Sequence, residues 1–410
     1  MVKLRYAPSP TGYMHLGNFY VLIKVYLFAR KNNGHFILRI DDTDKSRNKD
    51  EYINGIYEDC KWLNIHIDET FKQSDRVMLY DKYFQKLIDL NHVYECFESK
   101  EEIEAIQTSK RRRRIAPIFT EGDKRTSGTI NTGYWRFKLK DTFTVNDEIF
   151  GTLNFKRDWS DPIIKKTDGS YSYLFASVVD DLECGITHLI RGADHLANTA
   201  IQEYMGNILG NWSMKYYHFP LMKNNDSKLS KRDGENSLHE YKDLHPMTLW
   251  SMFSIIGTGL KPIISLKPED YWNNWDINMF KTGSVQMPEY EKFIQINRKI
   301  LRLLDESELN SQGINIHIWE CFKYNIDTIP EFLHIQQNIL SMDIYKLPYW
   351  SFFKSRYNNQ NCNINMLIDE YILIHNLVQN DFLYQIRYDI LRERSGPQSQ
   401  ELLLMLLKVF

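Results

Sequence analysis

Two prolines and a glycine, Pro8, Pro10 and Gly12, stand between a short apolar stretch and a long one. No regular element runs through such a sequence, because proline has a fixed φ and no amide hydrogen. Met1 to Tyr6 therefore supplies at most a short strand, and a new element starts beyond Tyr13. The spacing predicts a helix from about Gly17 to Asn32, with Phe19, Val21, Leu22, Ile23, Val25, Tyr26, Leu27, Phe28 and Ala29 placed nearly all round it. Gly34 falls where a left-handed C-terminal cap belongs. Phe36-Ile37-Leu38-Arg39-Ile40 then reads as a second strand. Strand, loop, helix and parallel strand make a right-handed crossover, and such units bind ligands at the carboxyl ends of their strands.

The loop before the helix is a candidate phosphate cradle. A helix N-terminus offers unbonded N–H groups and a partial positive charge. Gly17 would let a nucleotide approach the backbone, and His15 could donate to a phosphate oxygen that gains charge. The same fragment also reads as a plain turn carrying a surface histidine.

Asp41-Asp42-Thr43-Asp44 follows the second strand. These carboxylates suit an ammonium group or a metal-bound nucleotide, or they cap the next helix. Apolar residues at 53, 56, 57, 60 and 63 predict a helix over Glu51 to Leu63, and a second one spans Ser74 to Leu90. Ser99 with Glu102 forms a capping box for a helix that ends in Lys110-Arg111-Arg112-Arg113-Arg114. That run either tracks RNA phosphates or is a solvated charge run. From Tyr134 to Phe155 the pattern alternates as in strands, so residues 95–172 read as an α+β insert between two halves of the parallel sheet.

Gly185 to Gly192 reads as a buried strand ending on Arg191, a planar fork suited to a carboxylate, with Arg5 as a first such anchor. A helix then runs to Leu209-Gly210. Turn residues flank Lys228-Leu229-Ser230-Lys231, a cationic loop able to close over a triphosphate, or simply a polar loop.

The five cysteines, at 60, 96, 184, 321 and 362, include no close pair, so free thiols and no structural zinc are expected. No stretch of about 18 uncharged apolar residues occurs, which argues against a membrane helix. The opening Met-Val-Lys-Leu-Arg runs directly into the first motif, so no signal peptide and a cytoplasmic site are expected. The net charge of −2 gives no global pull on nucleic acid, so RNA contacts need local basic patches.

Taken together and in order, Pro-Ser-Pro-Thr-Gly-Tyr-Met-His-Leu-Gly, Leu-Arg-Ile-Asp-Asp-Thr-Asp, Val-Val-Asp-Asp, Thr-His-Leu-Ile-Arg-Gly-Ala-Asp-His and Lys-Leu-Ser-Lys-Arg-Asp-Gly resemble a bacterial-type glutamyl-tRNA synthetase. His-Leu-Gly-Asn and Lys-Leu-Ser-Lys-Arg match the HIGH and KMSKS elements of class I synthetases. The resemblance implies an α/β fold: a Rossmann-like parallel-sheet catalytic domain with an α+β insertion, followed by an all-α C-terminal region. The expected segments are 1–94 and 173–225 for the catalytic halves, 95–172 for an acceptor-end-binding insert, 226–305 for the KMSKS loop and stem-contact region, and 306–410 for a shortened anticodon-binding region.

The implied reaction joins L-glutamate to tRNA through a glutamyl adenylate, with ATP and its Mg2+ as co-reactants and a monomer as the working unit. By resemblance Arg5, Ala7, Ser9, Asp41, Tyr173, Ser177 and Arg191 line the glutamate site. His15, Gly17, Asn18, Lys228, Leu229, Ser230 and Lys231 hold ATP, with His15, Lys228 and Lys231 catalytic. Asp44 and Arg111 to Arg114 are candidate tRNA contacts. Asp41 stands where the family usually has a glutamate, and Ala193 replaces a glutamate near the ATP ribose. Cys96 has no partner for the zinc that some members carry in the insert.

Helical runs at Met366 to Val378 and Leu402 to Phe410 suit the all-α region, which is shorter than usual by an internal contraction and carries more acidic than basic residues. Reduced discrimination between tRNA-Glu and tRNA-Gln is expected from that. Two other readings stand beside the ligase: a glutamyl transferase acting on a modified tRNA base, and a non-catalytic paralogue binding tRNA or protein.

Overall fold

The computed structural model describes residues 1–44, 46–124, 130, 132–224, 227–228, 237–280, 282–357, 363–375, 377–391 and 396–410, with the backbone alone at 224, 227 and 228. The chain forms two compact units, one of Met1–His239, Phe253–Lys261 and Glu269–Met287, the other of Glu240–Met252, Pro262–Pro268 and Pro288–Phe410.

In the first unit, β1 (Lys3–Tyr6) leads through the proline-broken loop into α1 (Leu16–Lys31) and then β2 (His35–Ile40), which lies parallel to β1. Helix α2 (Asp50–Trp62) connects to β3 (Glu69–Lys72), parallel to β2, and α3 (Val77–Asp89) follows. The expected crossover is present. Helix α1 is buried on all sides: Leu22, Ile23, Val25 and Leu27 are fully inaccessible. Each such side chain contributes roughly 1.5–3 kcal/mol on burial, so α1 is the central rod of the unit and not a surface helix.

Its C-terminal end departs from expectation. The left-handed residue is Asn33, at φ 48°, and not Gly34. Gly34 is needed for a different reason, since a Cβ there would sit 2.9 Å from the Val2 carbonyl oxygen. Asn tolerates the left-handed region because its short side chain bonds locally, which frees the glycine for close packing against β1.

Residues 95–172 fall within the first unit. Strand β4 (Val93–Cys96) precedes α4 (Lys100–Arg112), whose Ser99–Glu102 capping box is as expected. Strand β5 (Tyr134–Phe137) pairs antiparallel with β4 on one side and with β8 (Ile163–Lys165) on the other, in the order β4-β5-β8. The hairpin β6 (Thr142–Asp147) and β7 (Gly151–Lys156) joins a different sheet instead. After α5 (Tyr173–Glu183), β9 (His188–Gly192), α6 (Leu196–Leu209) and β10 (Lys215–Phe219), a second sheet has the order β7-β6-β10-β9. Thr187 ties it to the first: its N–H donates to the Lys3 carbonyl at 3.0 Å, and its Oγ1 accepts from the Lys3 N–H at 2.9 Å. Strands β11 (Met222–Asn224) and β12 (Ser227–Lys228) form an antiparallel hairpin after β10.

Lys24, on α1, is completely buried. Its Nζ donates to the Phe253 carbonyl at 2.7 Å and the Ser254 carbonyl at 3.3 Å, near the end of α7 (Pro246–Ile255), and lies 3.9 Å from the Phe280 ring centroid. Burial drives this ammonium well below its ordinary value. A lysine depressed in the folded state binds fewer protons there than in the unfolded chain, so stability rises as pH is raised toward the ordinary lysine value. Thermal melts from pH 8 to 10 should show the wild type gaining on Lys24→Met as pH rises, and a constant difference would count against this.

The second unit is helical: eight helices lie among the described residues between Tyr290–Leu301 and Ser399–Val409. They surround Leu301, Trp319, Phe332, Phe353, Ile386, Leu402 and Leu406. The two runs foreseen at its end appear as Ile364–His375 and Ser399–Val409. Among the described residues, no helix is long and apolar enough to cross a membrane.

Candidate functional site

A cavity of about 400 Å³ opens at the carboxyl ends of β1 and β9, against the start of α1. It is lined by Arg5, Tyr6, Ala7, Pro8 and Ser9 from β1 and the loop after it, and by His15, Gly17, Asn18, Tyr20 and Val21 from the start of α1. Tyr173, Ile190, Arg191, Gly192, Asp194, His195, Pro220, Leu221 and Met222 complete the lining. Arg5, Ala7, Ser9, His15, Gly17, Asn18, Tyr173 and Arg191, proposed from sequence, are thus brought to one cavity.

His15 is the N-cap of α1. Its Nδ1 accepts from the Asn18 N–H at 3.3 Å, and Asn18 Oδ1 accepts from the His15 N–H at 3.3 Å. With Nδ1 an acceptor, the neutral ring carries its hydrogen on Nε2. The Met14 carbonyl accepts from the Leu238 N–H at 3.0 Å, which pins the chain beyond the cationic loop to this motif. The loop's own residues Leu229, Ser230 and Lys231 lie outside the described residues, as does Cys362, and Lys228 is described by its backbone in β12.

Arg5 is buried and held by Asp181: Nε to Oδ1 at 3.1 Å and Nη2 to Oδ2 at 3.3 Å. The Arg39 Nη1 reaches the same Oδ1 at 2.7 Å. Burial raises the Asp181 carboxyl, but Arg5 and Arg39 more than offset this and hold it below the ordinary range. Neighbouring Asp180 accepts from Gln73 Nε2 at 2.8 Å and Tyr80 Oη at 2.9 Å, and Arg76 Nε lies 2.9 Å from it.

Two proposed glutamate-site residues stand behind the lining. Asp41 takes both its oxygens to Arg39, at 2.6 and 3.1 Å, and is absent from the cavity wall. Burial pushes its carboxyl up, to about 6, against the pull of Arg39. Ser177 is fully buried, its Oγ accepting from Gln202 Nε2 at 2.6 Å. Both shape the site through neighbours, and neither presents a free polar group to it.

In the acidic loop Asp42 and Asp44 each have local partners. Asp42 accepts from the Ser74 N–H and Oγ at 2.8 and 2.7 Å, so it caps the turn before α3. Asp44 closes its own turn onto Ser46 Oγ and Arg47 Nε, each at 2.7 Å. Arg111 to Arg114 are all exposed at the C-terminal end of α4, where cations also suit the helix dipole.

Arg191 differs from Arg5. It is buried, and among the described residues no carboxylate contacts it: Nε donates to His218 Nε2 at 3.3 Å, Nη2 donates to Thr199 Oγ1, and Nη1 is buried without a hydrogen-bond partner among those residues. His195 stands beside it, and burial with the adjacent Arg191 lowers the ring to about 4, so it is neutral near pH 7. Thr199 and His218 were not singled out from sequence, and Asp180 and Asp181 entered only within the Val-Val-Asp-Asp motif, with no role assigned. Adjacent aspartates in the apolar run Val178-Val179, and a histidine inside Tyr216-Tyr217-His218-Phe219, carried a usable signal, because buried polar groups need partners.

Residues 1–266 match the family model "tRNA synthetases class I (E and Q), catalytic domain". The chain is 36% identical over 346 residues to "Glutamate--tRNA ligase 1" of Anaplasma marginale, covering 80% of this chain and 78% of that protein. It is 30% identical to "Glutamate--tRNA ligase 1" of Wolbachia pipientis subsp. Culex pipiens, covering 98% and 95%. A crystal structure of a glutamate tRNA ligase from Elizabethkingia meningosepticum in complex with its amino acid superposes with a TM-score of 0.79 over 99% of this chain and 96% of that one, at 21% identity. At that identity the superposition speaks to the fold.

Proposed function

The chain belongs to the class I tRNA synthetases of the glutamate and glutamine type, and from that premise we propose the chemistry its cavity performs. It is a glutamate--tRNA ligase. An α-carboxylate oxygen of L-glutamate attacks the α-phosphorus of ATP, the new O–P bond forms, and pyrophosphate leaves. A hydroxyl of the terminal ribose of tRNA then attacks the acyl carbon of the adenylate, and AMP leaves.

One observation carries the substrate reading: the Nη1 of Arg191 is buried, without a partner among the described residues, on a residue that lines the cavity. An unpaired donor of that kind is costly unless a ligand completes it, and a carboxylate fits the guanidinium fork. Arg5, whose Nε and Nη2 are held by Asp181, supplies a second cation to the same cavity. Tyr173, Ala7 and Ser9 complete the amino-acid side. A site of such paired polar groups rejects analogues lacking a partner by roughly 10⁴-fold or more.

The start of α1 receives the phosphates, through the Gly17 region and the Nε2–H of His15. Lys228 and Lys231, with Leu229 and Ser230 between them, supply further charge from the loop. Catalysis rests on positioning and charge neutralisation with no covalent enzyme intermediate. Asp194 is the single carboxylate among the lining residues. That wall suits a magnesium ion held mainly by the nucleotide's own phosphates, where it would offset their charge.

tRNA is the macromolecular partner, with Arg111 to Arg114 on its phosphates, and the enzyme acts as a monomer in the cytoplasm. The compact helical second unit favours ligation to tRNA over transfer to a modified base. Its contraction motivates relaxed discrimination between tRNA-Glu and tRNA-Gln. With ATP, radiolabelled glutamate and each transcript separately, both tRNAs should be charged, at rates within about tenfold. Strict preference for tRNA-Glu would sink the relaxed reading alone. Absence of charging on either would sink the ligase reading in favour of a non-catalytic paralogue.

A further inference from the structure

Arg191 is held in a manner that keeps its charge. Asp147, at the end of β6, accepts four N–H groups: those of Ile149 and Phe150 on Oδ1 at 2.9 and 2.8 Å, and the backbone N–H of His218 with its ring Nδ1 on Oδ2, at 3.1 and 2.7 Å. A carboxylate receiving four donors acts only as an acceptor, so His218 Nδ1 must carry a hydrogen. The other ring nitrogen, Nε2, lies 3.3 Å from the Arg191 Nε, which can only donate. Nε2 is therefore an acceptor, and the ring is neutral. Thr199 Oγ1, 2.8 Å from the same Nε2, accepts from Arg191 Nη2.

We propose that Asp147 and His218 are positioning residues for substrate selection: they fix the Arg191 guanidinium through a neutral acceptor, leaving Nη1 and its undiminished charge for a carboxylate. This rests on the reading of Arg191 as the carboxylate anchor. A carboxylate in the place of His218, as Asp181 serves Arg5, would hold the guanidinium equally well but would satisfy its charge beforehand. His218 is completely inaccessible and does not itself line the cavity, so its effect on substrate passes through Arg191.

Two substitutions separate positioning from simple packing. His218→Gln places a carbonyl oxygen near the position of Nε2 and keeps an acceptor for Arg191. His218→Asn keeps a donor for Asp147 near the position of Nδ1 and loses that acceptor. Glutamylation kinetics should show the glutamate KM of His218→Asn raised about tenfold or more, the loss expected for a hydrogen bond to a charged group. The ATP KM should stay within about threefold of wild type, and His218→Gln should stay near wild type in both.

Thr199→Val, which removes the second acceptor, should raise the glutamate KM in the same way and serves if His218→Asn does not fold. Equal glutamate KM values in the Asn and Gln variants, or a raised ATP KM of the same size, would overturn the inference. Arg191→Ala is the control. If it leaves the glutamate KM unchanged, the carboxylate-anchor reading fails and this inference with it. If it raises that KM while neither His218→Asn nor Thr199→Val does, the positioning inference fails alone.

Discussion

Asp181→Asn is expected to destabilise the first unit by about 3–5 kcal/mol, the cost of removing one partner from a buried ion network. Asp181 holds Arg5 by two hydrogen bonds and Arg39 by a third. Asparagine keeps the shape but turns one acceptor into a donor that faces a guanidinium. For a unit of this size the melting temperature should fall by roughly 6–20 °C. Because the folded-state value of Asp181 lies below its ordinary one, its contribution is present above the unfolded value of about 4 and is lost as pH falls through the folded value. The deficit should therefore be full at pH 7 and shrink on acidification. A deficit under about 1 kcal/mol at pH 7, by calorimetry, would remove Asp181 from the centre of this network.

The second large effect falls on rate. His15→Asn should lower kcat for glutamylation by about 10²–10³-fold, the usual loss when a donor to developing charge is removed. Asparagine is a favourable N-cap, so the helix-terminating role of His15 Nδ1 is retained while the Nε2–H is lost. The melting temperature should hold steady. A kcat within about threefold of wild type would assign His15 to capping alone.

The N-terminal crossover was readable because prolines, glycine and an all-round apolar helix leave few alternatives. Arg5, His15 and Arg191 were readable for a related reason, since each sits at a strand end or helix start where the topology alone points toward a ligand. Asp41 was harder. Its type suggested an ammonium contact, yet the arginine two residues before it, pointing the same way along β2, takes both its oxygens. Strand periodicity places residues two apart on one face, so that competition was available in the sequence but outweighed by the analogy to a longer glutamate.

For Asp181 and His218 the sequence signals a buried polar group but not its role, for another reason. Their partners stand far away in sequence, and no local pattern says which distant arginine a buried acid will meet. The joining of the β6–β7 hairpin to the sheet of β9 and β10 was likewise invisible, because alternation identifies strands without naming their neighbours. Gly34 shows the finer limit: a glycine was expected for its backbone freedom and serves instead as a gap for Val2.

The bond between Lys3 and Thr187 spans 184 positions of sequence, and this sets an order of events during synthesis. The first strand leaves the ribosome without the neighbour that completes its sheet. At 5–20 residues per second, translation reaches that neighbour roughly 10–40 s later. Throughout that interval α1, apolar on every side, has no finished interior to enter. The nascent chain up to Thr187 is thus a sticky species awaiting the rest of its sheet, and its protection from aggregation falls to chaperones or to the speed of elongation.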